Sequence, residues 1–283
     1  MRILKRKKGN EEYYYLQHSF RKGTKVITKE KYLGKEVPKN IEEIKDKLKL
    51  ELQKELYKKL ETIKKNFKEQ WKRYPKIVKE KQLEEMSIAF TYNSNAIEGS
   101  TITEDEVREI IHDKIAPNKP LRDIKETEAH SKVFLEIIKQ EHKITNNILL
   151  KWHNEIFSEI KQDIAGKIRD YNVRVGLYIA PDWQDLKDLM RDLIYLINKT
   201  TEINPVEFSA KVHYRFEKIH PFGDGNGRIG RLIMNHILWH AGYPIMIIEY
   251  KKRKSYYKAL RGEEEDFIKY FIRRYLAVHK SSL

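Results

Sequence analysis

His220-Pro221-Phe222-Gly223-Asp224-Gly225-Asn226-Gly227-Arg228-Ile229-Gly230-Arg231 is the stretch on which the reading of this chain turns. Ahead of it, Phe208, Val212, Phe216 and Ile219 recur at threes and fours and predict a helix over 204–219. Behind it, Leu232, Ile233, Ile237 and Leu238 predict a second helix over 227–241, stopped by Gly242 and Pro244. A helix, a tight glycine-rich turn and another helix therefore follow one another. Such a turn aims main-chain N–H groups at a helix N-terminus, where the dipole and the unpaired donors favour an anion. Arg228 and Arg231, three apart, present planar forks suited to a phosphate chain. Asp224 is a hard oxygen ligand of the kind Mg²⁺ takes. His220, which titrates near neutrality, suits a general base for a hydroxyl. A phosphate cradle, a metal ligand, an arginine clamp and a base within twelve residues describe nucleotide transfer.

Two rival readings of the same residues fail. Gly225-Asn226-Gly227-Arg228-Ile229-Gly230 fits the dinucleotide spacing G-x-G-x-x-G, but that fingerprint follows a strand and here a helix precedes it. Asp224-Gly225-Asn226 resembles the start of a calcium loop, yet Ile229 stands where glycine is needed and Asn235 where glutamate is needed.

Outward from the motif the chain reads as mainly helical. Further helices are predicted over roughly 80–95, 103–113, 121–141, 145–160, 184–199 and 263–277, interrupted by a β-rich hairpin at 172–179. Ile44, Leu48, Leu52, Leu56, Leu60 and Ile63 predict a long amphipathic helix from Ile41 to about Trp71, ended at Tyr74-Pro75. Before it, Tyr13-Tyr14-Tyr15-Leu16 and Lys25-Val26-Ile27-Thr28 predict a small β-hairpin, with Lys22-Gly23-Thr24 as its turn. The expected division is a basic N-terminal extension over 1–80 and a catalytic domain over 81–283.

Charge follows that division. Of the net +15, residues 1–80 hold 25 Lys and Arg against 12 Asp and Glu, a balance of +13. A solvated basic face explains this more simply than a nucleic-acid surface. Target recruitment, a homo-oligomer contact and nucleic-acid binding all remain open for residues 1–80. The chain has no cysteine, which excludes disulfides, thiolate metal sites and cysteine nucleophiles and makes the cytoplasm the default location. No apolar run reaches the 18 residues that a membrane span requires. His236 and His240 stand four apart on one helix face, but with no third ligand nearby in sequence they read as structural rather than as a zinc pair.

HPFGDGNGRIGR resembles the signature of the Fic (filamentation induced by cAMP) family, HxFx[DE]GNGRxxR, at every fixed position, and the likeness extends over roughly residues 85–275. The resemblance implies a Fic-type helical bundle with a short β-hairpin flap. It also implies AMPylation, the Mg²⁺-dependent transfer of AMP from ATP to a Ser, Thr or Tyr hydroxyl of a protein. Carried over by match, His220 deprotonates the target hydroxyl, Asp224 holds Mg²⁺, and Phe222 anchors the loop in the core. Gly225, Asn226 and Gly227 form the anion cradle, and Arg228 and Arg231 grip the outer phosphates. The hairpin at 172–179 matches the flap on which a target protein docks, entered through Gly166 and Arg169, and Tyr256 and Tyr257 resemble tyrosines bordering the adenine pocket. Upstream, Ser94-Asn95-Ala96-Ile97-Glu98-Gly99 resembles the family's inhibitory helix, [ST]xxxE[GN]. It implies that Glu98 pairs with Arg231 and spoils the pose of ATP, in the subclass whose inhibitory helix precedes the signature. The sequence thus leads to an autoinhibited protein adenylyltransferase that also modifies itself. De-AMPylation at the same site, or a nucleotide- or DNA-binding regulatory module, are the alternatives.

Overall fold

The computed structural model describes residues 1–22, 25–199 and 202–283, and within them every side chain except those of 18–22, 25–27, 29, 46, 49 and 50. Two compact units divide it, Met1–Thr62 and Ile63–Leu283.

In the first unit, strands β1 (Arg2–Lys8), β2 (Glu11–Lys22) and β3 (Lys25–Gly34) form one antiparallel sheet in that order, with Leu4 opposite Tyr15 and Tyr15 opposite Tyr32. The expected hairpin is thus a three-stranded sheet. Strand β1, Arg-Ile-Leu-Lys-Arg-Lys-Lys, gives no apolar alternation to read, because its largely exposed side chains pair with the next strands instead of a core. Lys5 bonds Glu12 at 2.5 Å and Arg6 bonds Glu30 at 2.6 Å. Tyr13, Tyr15 and Tyr32 cluster on one face, and Leu16 is fully buried. Gly23 and Thr24 of the expected turn lie outside the described residues. Helix α1 (Ile41–Arg73) follows, acidic in its first turn and basic in its last, as the helix dipole favours.

The second unit is helical: α2 (Lys76–Ile97), α3 (Glu104–Arg108), α4 (Leu121–Lys139), α5 (Asn146–Phe157), α6 (Leu186–Asn198), α7 (Pro205–Ile219), α8 (Asn226–His240), α9 (Arg253–Arg261) and α10 (Glu264–Val278). The helix expected over 103–113 is α3 continued by one wide turn, Glu109–Asp113. Helix α9 was not anticipated; Arg-Lys-Ser-Tyr-Tyr-Lys-Ala-Leu-Arg carries too few apolar residues for periodicity to register. Between α5 and α6 lies a two-stranded hairpin, β4 (Arg174–Val175) and β5 (Tyr178–Ile179), at the position expected for the flap.

Helices α7 and α8 pack against each other at the centre. Phe216, Phe222, Ile229, Leu232 and Ile233 join Phe134, Trp152 and Phe157 from α4 and α5 in one continuous core. Within this unit, Trp71 meets Trp239 edge-on at 5.2 Å, with Phe67 beside them. His236 and His240 are held by main-chain carbonyls of Ile137 and His142 rather than by acidic neighbours. Among the described residues no cluster of three or more His, Cys, Asp or Glu could hold a metal ion, and no helix is long and apolar enough to cross a membrane.

Candidate active site

The loop between α7 and α8 is shaped by its own side chains. His220 ends α7 in the left-handed region, φ 51° and ψ 59°, which a residue with a side chain adopts only under constraint. Its N–H donates to Phe216 O at 3.0 Å. Gly225 also lies in the left-handed region, and a Cβ there would strike the Phe157 ring. Asn226 closes the loop: Phe222 N–H donates to its Oδ1 at 2.9 Å and its Nδ2 donates to Phe222 O at 2.8 Å. The side chain of Asn226, a residue expected in the anion cradle, thus fastens the loop. Phe222 is buried as expected and stacks on His153 with ring centroids 4.0 Å apart.

His153, on α5, carries no sequence signal. Gly166 N–H donates to its Nδ1 at 3.0 Å, so Nε2 bears the proton and donates to Asp224 O, also at 3.0 Å. Burial lowers its pKa, in keeping with a neutral ring. Arg169 ties the flap to the motif. Its Nε donates to His220 O at 2.8 Å, Nη1 to Tyr171 O at 2.6 Å and Nη2 to Pro181 O at 2.7 Å, while its own N–H donates to Pro221 O at 3.0 Å. One guanidinium thus holds both roots of the flap and the residue before the glycine loop.

The charged groups form two sets. In the first, Arg228 is buried. One nitrogen is in ion-pair contact with Glu126 of α4, and Nη2 donates to Asp224 Oδ1 at 3.0 Å. Its guanidinium lies over the Phe157 ring at 4.7 Å, and burial lowers its pKa to about 10, still cationic at neutrality. Lys161 is in ion-pair contact with Asp224 Oδ2. Arg228 therefore faces carboxylates on two sides.

In the second set, Arg231 is 1% exposed. Nη2 meets Glu98 Oε1 at 2.6 Å and Ser94 O at 3.0 Å, while Nε donates to Ser94 Oγ at 3.0 Å. Burial alone would depress its pKa, but the charge of Glu98 carries it above the ordinary value. Glu98 caps α2, and the chain turns away through Gly99 at φ +96°. Gly99 N–H donates to Ala96 O and Ser100 N–H to Asn95 O, a Schellman ending that glycine alone enters without strain. This places the Glu98 carboxylate against the Cα of Gly227, in the first turn of α8, where any Cβ would collide with it. The carboxylate so occupies the positive end of a helix beside a buried arginine.

Beneath this pair lies Glu217, which the sequence reading passed over. Its side chain is 13% exposed, its Oε1 has no hydrogen-bond partner, and that oxygen stands 3.8 Å from His213 Nε2. Burial raises its pKa to about 7, with Arg231 opposing and Glu98 adding to the rise. Tyr256 is only 1% exposed, with its hydroxyl 2.7 Å from His213 Nε2, so it belongs to the core and offers no face to an open pocket. Tyr257 is partly exposed, and its hydroxyl donates to Ile97 O at 3.0 Å, bracing the turn that carries Glu98. His220 Nδ1 lies 3.3 Å from Glu217 O and donates to it, which leaves Nε2 as an acceptor. Burial lowers the His220 pKa, so the ring is neutral near pH 7.

Comparison with known proteins gives the same direction. Residues 143–238 match the model of the Fic/DOC family. The chain is 37% identical over 189 residues to a protein adenylyltransferase Fic of Nematostella vectensis, across 64% of this chain and 44% of that protein. It therefore spans less than half the length of this curated relative. The fold resembles Fic-1 (residues 134 to 508) from C. elegans, TM-score 0.69 at 23% identity, over 83% of this chain and 72% of that one. It also resembles a Fic domain containing signaling protein from Bacteroides thetaiotaomicron, TM-score 0.66 at 24% identity, over 81% and 96% of the two chains.

Proposed function

We propose that this chain, whose residues 143–238 match the Fic/DOC family model, is an autoinhibited protein adenylyltransferase, moving AMP from ATP to a protein hydroxyl. The observation that carries this reading is the Glu98 carboxylate seated between Arg231 and Gly227 under a complete motif. A carboxylate lodged at a helix N-terminus beside an arginine marks an anion site already filled, and a phosphate is the anion it displaces or excludes.

His220 accepts the target's proton at Nε2, Nδ1–H being held by Glu217 O. The target oxygen then bonds to the α-phosphorus as the bond to the bridging oxygen breaks, and pyrophosphate leaves. With Glu98 withdrawn, Arg231 and the N–H groups opening α8 receive the outer phosphates. Asp224 is the residue to hold Mg²⁺. Its carboxylate is partly exposed, already attracts the ammonium of Lys161, and supplies one hard oxygen, which suits a metal carried mostly by phosphates and water. When bound, that ion neutralises charge developing on the phosphates.

The flap presents a free edge for an extended target segment, with Leu177 at its tip 94% exposed and Val175 and Ile179 beside it. Tyr257, next to the inhibitory turn, remains the tyrosine placed to meet adenine. We assign catalysis to residues 81–283 and leave 1–80, with their basic balance, to recruitment or self-association in the cytoplasm. The same Glu98, seated beside Arg231 and Gly227, also suits positioning a water for removal of AMP.

The test incubates wild type, Glu98→Gly and Glu98→Gly/His220→Ala with ATP labelled at the α-phosphate and Mg²⁺. The expected result is strong labelling of the protein by the single variant alone. No label in any form, with ATP bound, would reject self-modification and shift the reading to the reverse reaction, another nucleotide or a binding module.

A further inference from the structure

Asp224 meets cations on both of its oxygens. Oδ1 accepts from Arg228 Nη2 at 3.0 Å and from Gly225 N–H at 2.5 Å, and Oδ2 is in ion-pair contact with the Lys161 ammonium. Lys161 follows α5, 63 residues before its partner, and lies outside the motif. Its side chain is 34% exposed, and its Nζ is 5.4 Å from the centroid of the Phe157 ring, the ring that also carries Arg228. The two cations, both lying over one aromatic ring, hold Asp224 in place, and among the described residues only the lysine occupies the oxygen that Arg228 leaves over.

We propose that Lys161 is a tethered cation that competes with the divalent metal for Asp224 and so makes metal binding depend on nucleotide. A hard metal ion needs a carboxylate oxygen clear of other cations. The ammonium excludes it by volume and by like charge. Arg228 is buried and fixed by Glu126, whereas Lys161 sits on a flexible, part-exposed stem and is able to leave. The phosphates of an incoming nucleotide would supply the alternative anion that draws the ammonium away and leaves Oδ2 clear for a metal. Metal and nucleotide then bind with positive coupling, and Lys161 sets its size.

The inference rests on the metal-dependent reading above, and the test separates the two. Mn²⁺ is titrated into full-length wild type, Lys161→Met, Lys161→Arg and Asp224→Asn. Free Mn²⁺ is followed by its paramagnetic resonance signal, with and without the non-hydrolysable α,β-methylene analogue of ATP. Without nucleotide, Lys161→Met should bind Mn²⁺ about tenfold more tightly than wild type, within the usual range of coupling between sites. Lys161→Arg should stay like wild type and Asp224→Asn should bind least. The gain in Mn²⁺ affinity on adding the nucleotide should shrink in Lys161→Met by the same factor. Equal or weaker Mn²⁺ binding in Lys161→Met than in wild type overturns the role of Lys161 and leaves the metal reading standing. No binding in any form, even with nucleotide, overturns both. Melting curves for each variant report folding, and the part-exposed position of Lys161 predicts little change.

Discussion

Replacing Ser94 by alanine tests the proposed inhibition and how it is lifted. Ser94 gives Arg231 two bonds, one through its hydroxyl and one through its carbonyl, while Glu98 one turn later gives the carboxylate. If inhibition is lifted by displacement of the end of α2, the hydroxyl bond exists only in the closed state and its loss favours opening. A hydrogen bond to a charged group contributes roughly 1.5–3 kcal/mol. The open population should therefore rise roughly ten- to a hundredfold, the lower figure applying because the carbonyl bond survives. Self-modification with α-labelled ATP measures it: the initial rate of Ser94→Ala should exceed wild type about tenfold and stay below that of Glu98→Gly. Ser94→Ala/Glu98→Gly should match Glu98→Gly alone, since a latch already open has nothing more to lose. An unchanged rate in Ser94→Ala beside a raised rate in Glu98→Gly would refute helix displacement. It would mean that only the Glu98 side chain swings, with the Ser94 bonds to Arg231 intact in both states.

Three further outcomes follow from the same geometry. Glu217, raised from 4.5 to about 7 by burial, keeps its proton in the folded protein while the unfolded chain loses it between those values. Stability therefore falls as pH rises through that window, by roughly 3 kcal/mol from this group, and levels off above it. Denaturant midpoints of Glu217→Gln should lack this decline relative to wild type, and parallel curves for the two proteins would reject it. In Glu98→Gly, the single-turnover rate should rise with pH to a plateau with its midpoint below 6.5, because burial lowers the pKa of His220 and the base must be neutral. A midpoint above 6.5 would assign the proton to another group. Asn226→Asp should lower the melting temperature by several degrees and weaken ATP binding, since an oxygen replaces the donor to Phe222 O and roughly 1–3 kcal/mol is lost. Calorimetry and nucleotide titration measure both, and wild-type values would remove the fastening role.

Local chemistry was legible in the sequence and distant chemistry was not. The two helices around the motif and the buried Phe222 follow from apolar spacing and from glycine turns. The partners that complete the site, Glu126, His153, Lys161 and Glu217, come mostly from other elements, and spacing along the chain carries no distance through space. The sequence reads Arg228 as part of a phosphate clamp and carries no sign of its ion pair with Glu126, which lies about a hundred residues earlier and marks no motif. Tyr256 and Tyr257 are neighbours in sequence, yet the helix turns one into the core and the other toward Ile97. Two adjacent aromatic residues cannot share one face of a helix, and that rule alone separates them.

Arg169 has a consequence for how such a site diversifies. All of its acceptors are main-chain carbonyls, those of His220, Tyr171 and Pro181, so its grip is blind to the identity of the side chains between the flap's roots. Tyr178 provides an inward anchor on the hairpin itself, its hydroxyl donating to Lys218 O. Arg174, Val175, Leu177 and Ile179 face outward. They are free to be rewritten while the hairpin's tether to His220 stays constant. The hairpin behaves as an interchangeable cartridge in a fixed mount, and under the proposed docking role a new clientele requires new outward residues rather than a new machine.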